Sequence, residues 1–404
     1  IPSLNINLTL PGSDSQHTRP RATAPHCCGR TRRAPRESRR VSLAQASGYV
    51  QLNQYRLLEP IGQGSYGIVK LAYNEEDDTH YAMKILSKRK LMRRAGLFGR
   101  APPPETRVYR EIAVLKKLDH PNVVKLVEVL DDPAEDHLYL VFQLLEGGPV
   151  IDIPTDNPVS EHLARKYFRD ALLGVEYCEF FYLHIHISLF RIAHRDIKPA
   201  NLLLGEGLVQ VADLGACGEL AAAGRVSGTV GTPAFRAPEA AAPADKYSGE
   251  AADIWSLGVT LFAMVTGKVP WVSNSAVDLQ RKVLAEPLTY PPRFQPSKQL
   301  RHLLSRMLDK DPASRATMQD IKEHEWVTLN GKEPLPSEQE NCRLVEVTDE
   351  DMAQVVTSIP NLSTLILIKT MLKKHSFQVC TTKYSGLARA GRSLSAPGNY
   401  LTDR

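Results

Sequence analysis

From Tyr55 the chain reads YRLLEPIGQGSYGIVKLAYNEEDDTHYAMKIL, and apolar and polar residues alternate in three short runs broken by glycines and by the acidic turn Asn74 to Thr79. A period of two sends successive side chains to opposite faces, so the runs predict consecutive antiparallel strands. PETRVYREIAVLKKL changes the period: Val108, Ile112 and Leu115 recur at helical spacing, and Pro104 and Glu105 suit a helix start. LYLVFQLL, after His137, is strand-like again, and a long, mostly helical stretch runs on to Trp326. A small sheet followed by a large helical part predicts an α+β protein of two lobes. From Asn330 the chain turns polar around Pro334 and Pro336, then carries one apolar-basic segment and a loose tail.

Composition narrows the class. With 404 residues, 43% of them hydrophobic, the chain can bury a real core. It has no run of 18 apolar residues, so no membrane span or membrane partner is expected. Six cysteines without CxxC pairs suit reduced thiols and a cytoplasmic setting, with the nucleus as a second compartment. The net charge of +5 is uneven: the first 48 residues hold eight Arg against Asp14 and Glu37. That excess lies in a Pro/Ser/Arg-rich stretch almost free of aromatics, so residues 1–52 read as a disordered basic arm. A nucleic-acid-binding domain would carry such charge on folded surface, and no nucleic-acid partner is expected. RRVS, Arg39 to Ser42, makes Ser42 a candidate phosphorylation site.

The chemistry sits between the strands and the helices. Gly62, Gly64 and Gly67 in GQGSYG precede a strand, IVKLAY, rather than a helix, and a Gly-rich hairpin of that kind can lay backbone N–H groups over phosphates. Lys84 lies on the third strand and Glu111 on the following helix; an inward lysine needs anions, and a phosphate with a carboxylate supplies two. HRDIKPAN offers Asp196, Lys198 and Asn201, and ADLG offers Asp213. A proton-accepting Asp, an Asn and an Asp able to hold Mg²⁺, and a Lys for anionic oxygens are what phosphoryl transfer requires. GTPAFRAPE, DIW and Arg315 follow.

These elements, in this order, resemble the signature set of eukaryotic protein kinases over residues 55–327. The resemblance implies a two-lobed kinase fold, with a small antiparallel-sheet N-lobe and a large helical C-lobe. It implies ATP bound by Ile61, Gly62, Gly64, Gly67, Val69, Ala82, Phe142, Leu145 and Leu203, with Lys84 paired to Glu111. Gln143 to Leu145 would form the hinge. Asp196 would take the acceptor's proton, Lys198 would meet the γ-phosphate, and Asn201 and Asp213 would bind Mg²⁺. Glu239 would pair with Arg315. Lys198 and Thr232 look like the serine/threonine branch. Leu214 stands where the family usually has Phe, an apolar plug of similar volume.

Several stretches narrow the likeness. KKLDHPNVVKLVEVLDDPAEDHLYLVF, VGTPAFRAPE, MLDKDP, EPLPSE, LVEVTDED and the insert RRAGLFGRAPPPETR resemble calcium/calmodulin-dependent protein kinase kinases, and RSLSAPGN looks like the beta form. The likeness implies phosphorylation of activation-loop threonines in calmodulin-dependent kinases I and IV and in AMP-activated protein kinase. The insert, with one Pro triplet, is shorter than the family's. Residues 328–359 then read as a linker and autoinhibitory segment, 360–378 as a helix and 379–404 as a disordered tail. In the helix, Leu362, Leu365, Ile366 and Leu372 share a broad face, and Lys369, Lys373 and Lys374 crowd one end. Basic amphipathic helices bind membranes or enter calmodulin's groove; the family likeness favours calmodulin and makes Leu362 and Phe377 the anchors for Ca²⁺/calmodulin. Ser395 in RSLSAP resembles a 14-3-3 site, and Ser227 and Thr229 are further candidate phosphosites.

One feature departs from the family: about nine extra residues, Glu179 to Ile187, precede the catalytic loop. Every catalytic residue after them is intact, which favours a working enzyme. The alternative is an impaired kinase-fold scaffold that binds calmodulin without efficient phosphotransfer.

Overall fold

Strands come first. β1 (Arg36–Ser38), β2 (Leu43–Ala46), β3 (Tyr49–Leu52), β4 (Tyr55–Gly64), β5 (Gly67–Asn74), β6 (Thr79–Ser87), β7 (Leu126–Asp131) and β8 (His137–Gln143) form one sheet in the order β1-β7-β8-β6-β5-β4-β3-β2. All these neighbours pair antiparallel except β1 with β7. The computed structural model describes residues 34–46, 48–64, 67–89, 112, 115–181, 192–213, 218–219, 225–226, 231–241, 247–342 and 393–394.

The three expected runs are β4, β5 and β6, and LYLVFQLL supplies β8. Leu52, Tyr55, Leu57, Ala72, Met83, Leu130, Tyr139 and Val141 pack together as the sheet's core. Burying side chains of this size is worth about 1.5–3 kcal/mol each. The disordered arm does not extend to residue 52: Arg36 to Leu52 contribute β1, β2 and β3. Their order has a physical cause. Leu52 and Tyr55 are fully buried, and the Tyr55 hydroxyl donates to Glu128 at 2.7 Å, so the β3–β4 corner is part of the core.

The larger part is helical: α1 (Glu161–Phe181), α2 (Gly249–Thr266), α3 (Ala276–Ala285), α4 (Lys298–Met307), α5 (Met318–Glu323), α6 (Glu325–Thr328) and α7 (Glu338–Asn341). Ala164, Phe168, Ala171, Leu172 and Val175 give α1 one buried face, and Phe168 meets Trp326 edge-on at 5.9 Å. α2 is buried all round except at Glu250 and Ala251, so the other helices are built on it. Short strands β9 (Ile192–Ala193), β10 (Leu202–Gly205) and β11 (Leu208–Val211) flank the loop His194–Asn201, with β10 and β11 antiparallel. The remaining short strands are β12 (Gly218–Glu219), β13 (Arg225–Val226), β14 (Tyr247–Ser248) and β15 (Ser393–Leu394), and β15 runs parallel to Gly62–Gln63.

The extra segment begins inside α1: Glu179, Phe180 and Phe181 are the helix's last turn. Its remaining residues lie outside those described. Among the described residues no helix is long and apolar enough to cross a membrane.

Candidate active site

Cross-strand register sets out one wall of a cleft. Gly62, Val69, Lys84 and Leu140 stand opposite one another across β4, β5, β6 and β8; Leu71, Ala82 and Phe142 form a row two residues away. Partners directly opposite share a face, and so do residues two apart, so Val69, Ala82, Lys84 and Phe142 project from the same side. Ile61 precedes Gly62 on β4 and is partly buried. At Gly67 a Cβ would come within 1.8 Å of the Ile85 carbonyl oxygen, so the hairpin closes on β6 only with glycine there. Leu145 is buried just beyond β8 and would meet a Cβ at Gly205, and Leu203 lies on the neighbouring β10. The expected ATP-binding residues therefore collect around this wall, except Glu111, which lies outside the described residues.

The opposite side is the loop His194–Asn201. Asp253, in the first turns of α2, accepts the backbone N–H groups of His194 at 2.5 Å and Arg195 at 2.8 Å, which anchors the loop to the central helix. Burial first, against the pull of His194 and those two N–H groups, pushes the Asp253 carboxyl up to about 6. Arg195 turns with a positive φ of 62°, and non-glycine residues held there cost about 1–3 kcal/mol. Asp196 then sits in a cluster. Its Oδ1 accepts the Thr232 N–H at 3.0 Å and the Thr232 hydroxyl at 2.8 Å; its Oδ2 accepts Lys198 Nζ at 2.9 Å and Asn201 Nδ2 at 3.3 Å. Lys198, only 1% exposed, also donates to Thr232 Oγ1 at 2.9 Å. The Thr232 hydroxyl therefore accepts from the ammonium and gives its single proton to the carboxylate.

The segment carrying Thr232 is pinned at its other end. Glu239 takes Arg315 in a two-pronged pair at 2.6 and 3.0 Å, and the guanidinium stacks 5.1 Å from the Trp255 ring.

Asp213 closes the cleft. It follows β11 with φ 57°, and its Oδ1 meets Lys84 Nζ at 2.5 Å. Burial opposes its charge, but the adjacent Lys84, with His194 and Lys198, outweighs that and holds the carboxyl below its ordinary range. The described partner of Lys84 is thus Asp213. Asn201 and Asp213 are linked through Ala212, whose N–H donates to the Asn201 carbonyl at 2.8 Å. A carboxylate and an amide oxygen are hard donors of the chemistry Mg²⁺ takes.

Residues 360–378, with Leu362, Lys369, Lys373, Lys374 and Phe377, lie outside the described residues, as do Ser227, Thr229, Leu214 and Ser395. Ser42 is exposed just before β2. Sequence reading gave Asp253 no role, because its partners lie 58 and 59 residues away. Thr232 had served only to mark the serine/threonine branch.

The profile of the protein kinase domain matches residues 55–327. The chain is 48% identical over 363 residues to a calcium/calmodulin-dependent protein kinase kinase of Caenorhabditis elegans, covering 85% of this chain and 65% of that protein. It is 38% identical to the serine/threonine-protein kinase ssp1 of Schizosaccharomyces pombe, over 78% of this chain and 49% of that one. With the serine/threonine-protein kinase GRIK2 of Arabidopsis thaliana it shares 37% identity, over 70% and 67% respectively.

Proposed function

This chain belongs to the protein kinase family and carries the domain of an ATP-dependent serine/threonine kinase, and we propose that it phosphorylates activation-loop threonines of other protein kinases under Ca²⁺/calmodulin control. The observation that carries the phosphotransfer reading is the Asp196 cluster, assembled in full downstream of the extra segment. Asp196 accepts the proton of the acceptor hydroxyl, whose oxygen bonds to the γ-phosphorus as the bond to the β-bridging oxygen breaks and ADP leaves. Lys198 faces the charge gathering on the transferred phosphoryl group, and Thr232 keeps both groups in register. Asn201 and Asp213 would hold Mg²⁺, which neutralises phosphate charge when bound.

The substrate class and the calmodulin control draw on the likeness to the worm calcium/calmodulin-dependent protein kinase kinase and on the basic amphipathic segment 360–378. Calmodulin-dependent kinases I and IV and AMP-activated protein kinase are the acceptors that likeness points to. A phosphorylated Ser395 would add a 14-3-3 partner, and the setting is the cytoplasm, with access to the nucleus.

The test is transfer of labelled phosphate to an inactive calmodulin-dependent kinase I, with and without Ca²⁺/calmodulin. Transfer that calmodulin raises is the expected result. Soluble, folded protein that binds calmodulin and transfers nothing would instead support the scaffold reading, and recovery on deleting residues 179–187 would then identify the cause.

A further inference from the structure

The chain beyond the matched domain, residues 328–342, straps back along α1. Arg165 pairs with Glu333 at 2.9 Å, and Arg169 donates to the carbonyls of Val327 at 2.6 Å and Glu333 at 2.7 Å. A capping box, Ser337 with Glu340, starts α7, and Cys342 is buried behind it. The last residue of α7, Asn341, bonds in three directions. Its Nδ2 donates to the Leu173 carbonyl at 3.0 Å and to Glu176 at 2.8 Å, and Glu176 is itself clamped by Lys322 at 2.6 Å. These donations fix which end of the amide is oxygen, and that Oδ1 meets His120 Nε2 at 3.0 Å.

His120 is buried and stacked on Tyr177 at 4.6 Å. Its Nδ1 accepts the Asn122 N–H at 3.1 Å, so the proton sits on Nε2 and points to Asn341. The turn that follows reaches both walls of the cleft. Asn122 donates to the Val209 carbonyl and accepts from the Val211 N–H at 2.8 Å, and Val124 donates to the Val211 carbonyl at 3.0 Å. The Gln143 N–H, at the end of β8, donates to the Lys125 carbonyl at 3.0 Å. A Cβ at Gly174 would lie 2.4 Å from the Asn122 carbonyl, so α1 presses directly on this turn. Two residues beyond Val211 stands Asp213.

We propose that Asn341 is a positioning residue for phosphate transfer: through His120 it holds the 118–125 turn against β11 and the end of β8, and so sets Asp213. The inference rests on the kinase reading above. It makes the strap a working part of the domain, acting on the metal-holding carboxylate from the far side of α1.

The experiment compares full-length wild type, Asn341→Ala, His120→Ala, the double variant and Glu333→Ala. Steady-state kinetics are measured against ATP and Mg²⁺, beside hydrogen exchange of the Asn122, Val124 and Val211 amides. Asn341→Ala should raise the Mg²⁺ concentration for half-maximal rate about two- to thirtyfold, the range for a change that weakens coupling without touching a ligand. The three amides should exchange faster. His120→Ala should match it and the double variant should be no worse, as for one shared interaction. Glu333→Ala, which loosens the strap elsewhere, should leave the Mg²⁺ requirement alone. A lower melting temperature with an unchanged Mg²⁺ requirement, or an equal shift from Glu333→Ala, overturns the proposal. If Asn341→Ala does not fold, Asn341→Gln replaces it with the same direction expected. Should wild type transfer no phosphate, the kinase reading fails by itself, and the amide exchange still reads the Asn341–His120 joint: unchanged exchange in Asn341→Ala removes it too.

Discussion

Asp196 and Asp213 are carboxylates of one cleft, yet they are held in opposite ways. Asp196 is 12% exposed and accepts four hydrogen bonds, all from its own loop or from Thr232. Asp213 is 32% exposed, and its side chain rests on Lys84, a residue of the sheet, while its backbone rests on β11. The difference follows from the work each would do. A base must meet an acceptor hydroxyl at a fixed point, so its surroundings are built in. A metal ligand must let go of one cation to take another, so its partner is a single long side chain.

Four substitutions or titrations separate the two arrangements. Asp196→Asn keeps the shape and removes the base; phosphate transfer should fall by about 10²–10⁴-fold, with a lowered melting temperature because the amide NH2 faces donors that a carboxylate oxygen accepted. Lys84→Met should cost about 10–100-fold in kcat/KM for ATP, the size of a lost charge-assisted contact. It should also raise the Asp213 pKa. A depressed carboxyl contributes stability above its unfolded value and loses it as pH falls through the folded one, so the variant should lack that contribution already at neutral pH, and its melting temperature should fall less than that of wild type as pH is lowered to 3. Thr232→Val removes one link of the Asp196 cluster and should lower kcat about tenfold while leaving the ATP KM in place. An equal rise in KM would mean that the two carboxylates are not independent.

The smallest effect concerns Asp253. Its carboxyl is pushed up to about 6, so its contribution to stability is greatest at low pH and fades as pH rises through 6. Going from pH 7 to 5, activity should drop a few-fold as the anchor of His194 and Arg195 loses its charge, while this group gives no loss of melting temperature. Asp253→Asn should flatten that part of the activity profile.

Much of this was readable in the chain. Strand periods gave β4, β5, β6 and β8, and the spacing within HRDIKPAN gave Asp196, Lys198 and Asn201, because those residues lie in one short loop. What escaped reading depends on partners far away in sequence. Composition hid β1, β2 and β3: an arginine-rich stretch reads as unfoldable, although Leu52 at its end is a core residue. Asp253 lies in an apolar helix where its local neighbours say nothing of the loop it holds. Asn341 meets His120 across 221 residues, a distance over which no periodicity speaks.

The direct contact between Lys84 and Asp213 has a consequence for how nucleotide enters. Magnesium nucleotide brings an anion for the lysine and a cation for the aspartate together, so binding is an exchange of counter-ions rather than a capture of charge. Little net charge is neutralised in such a swap. Nucleotide affinity should therefore respond only weakly to ionic strength, much less than for a site with an unmatched lysine.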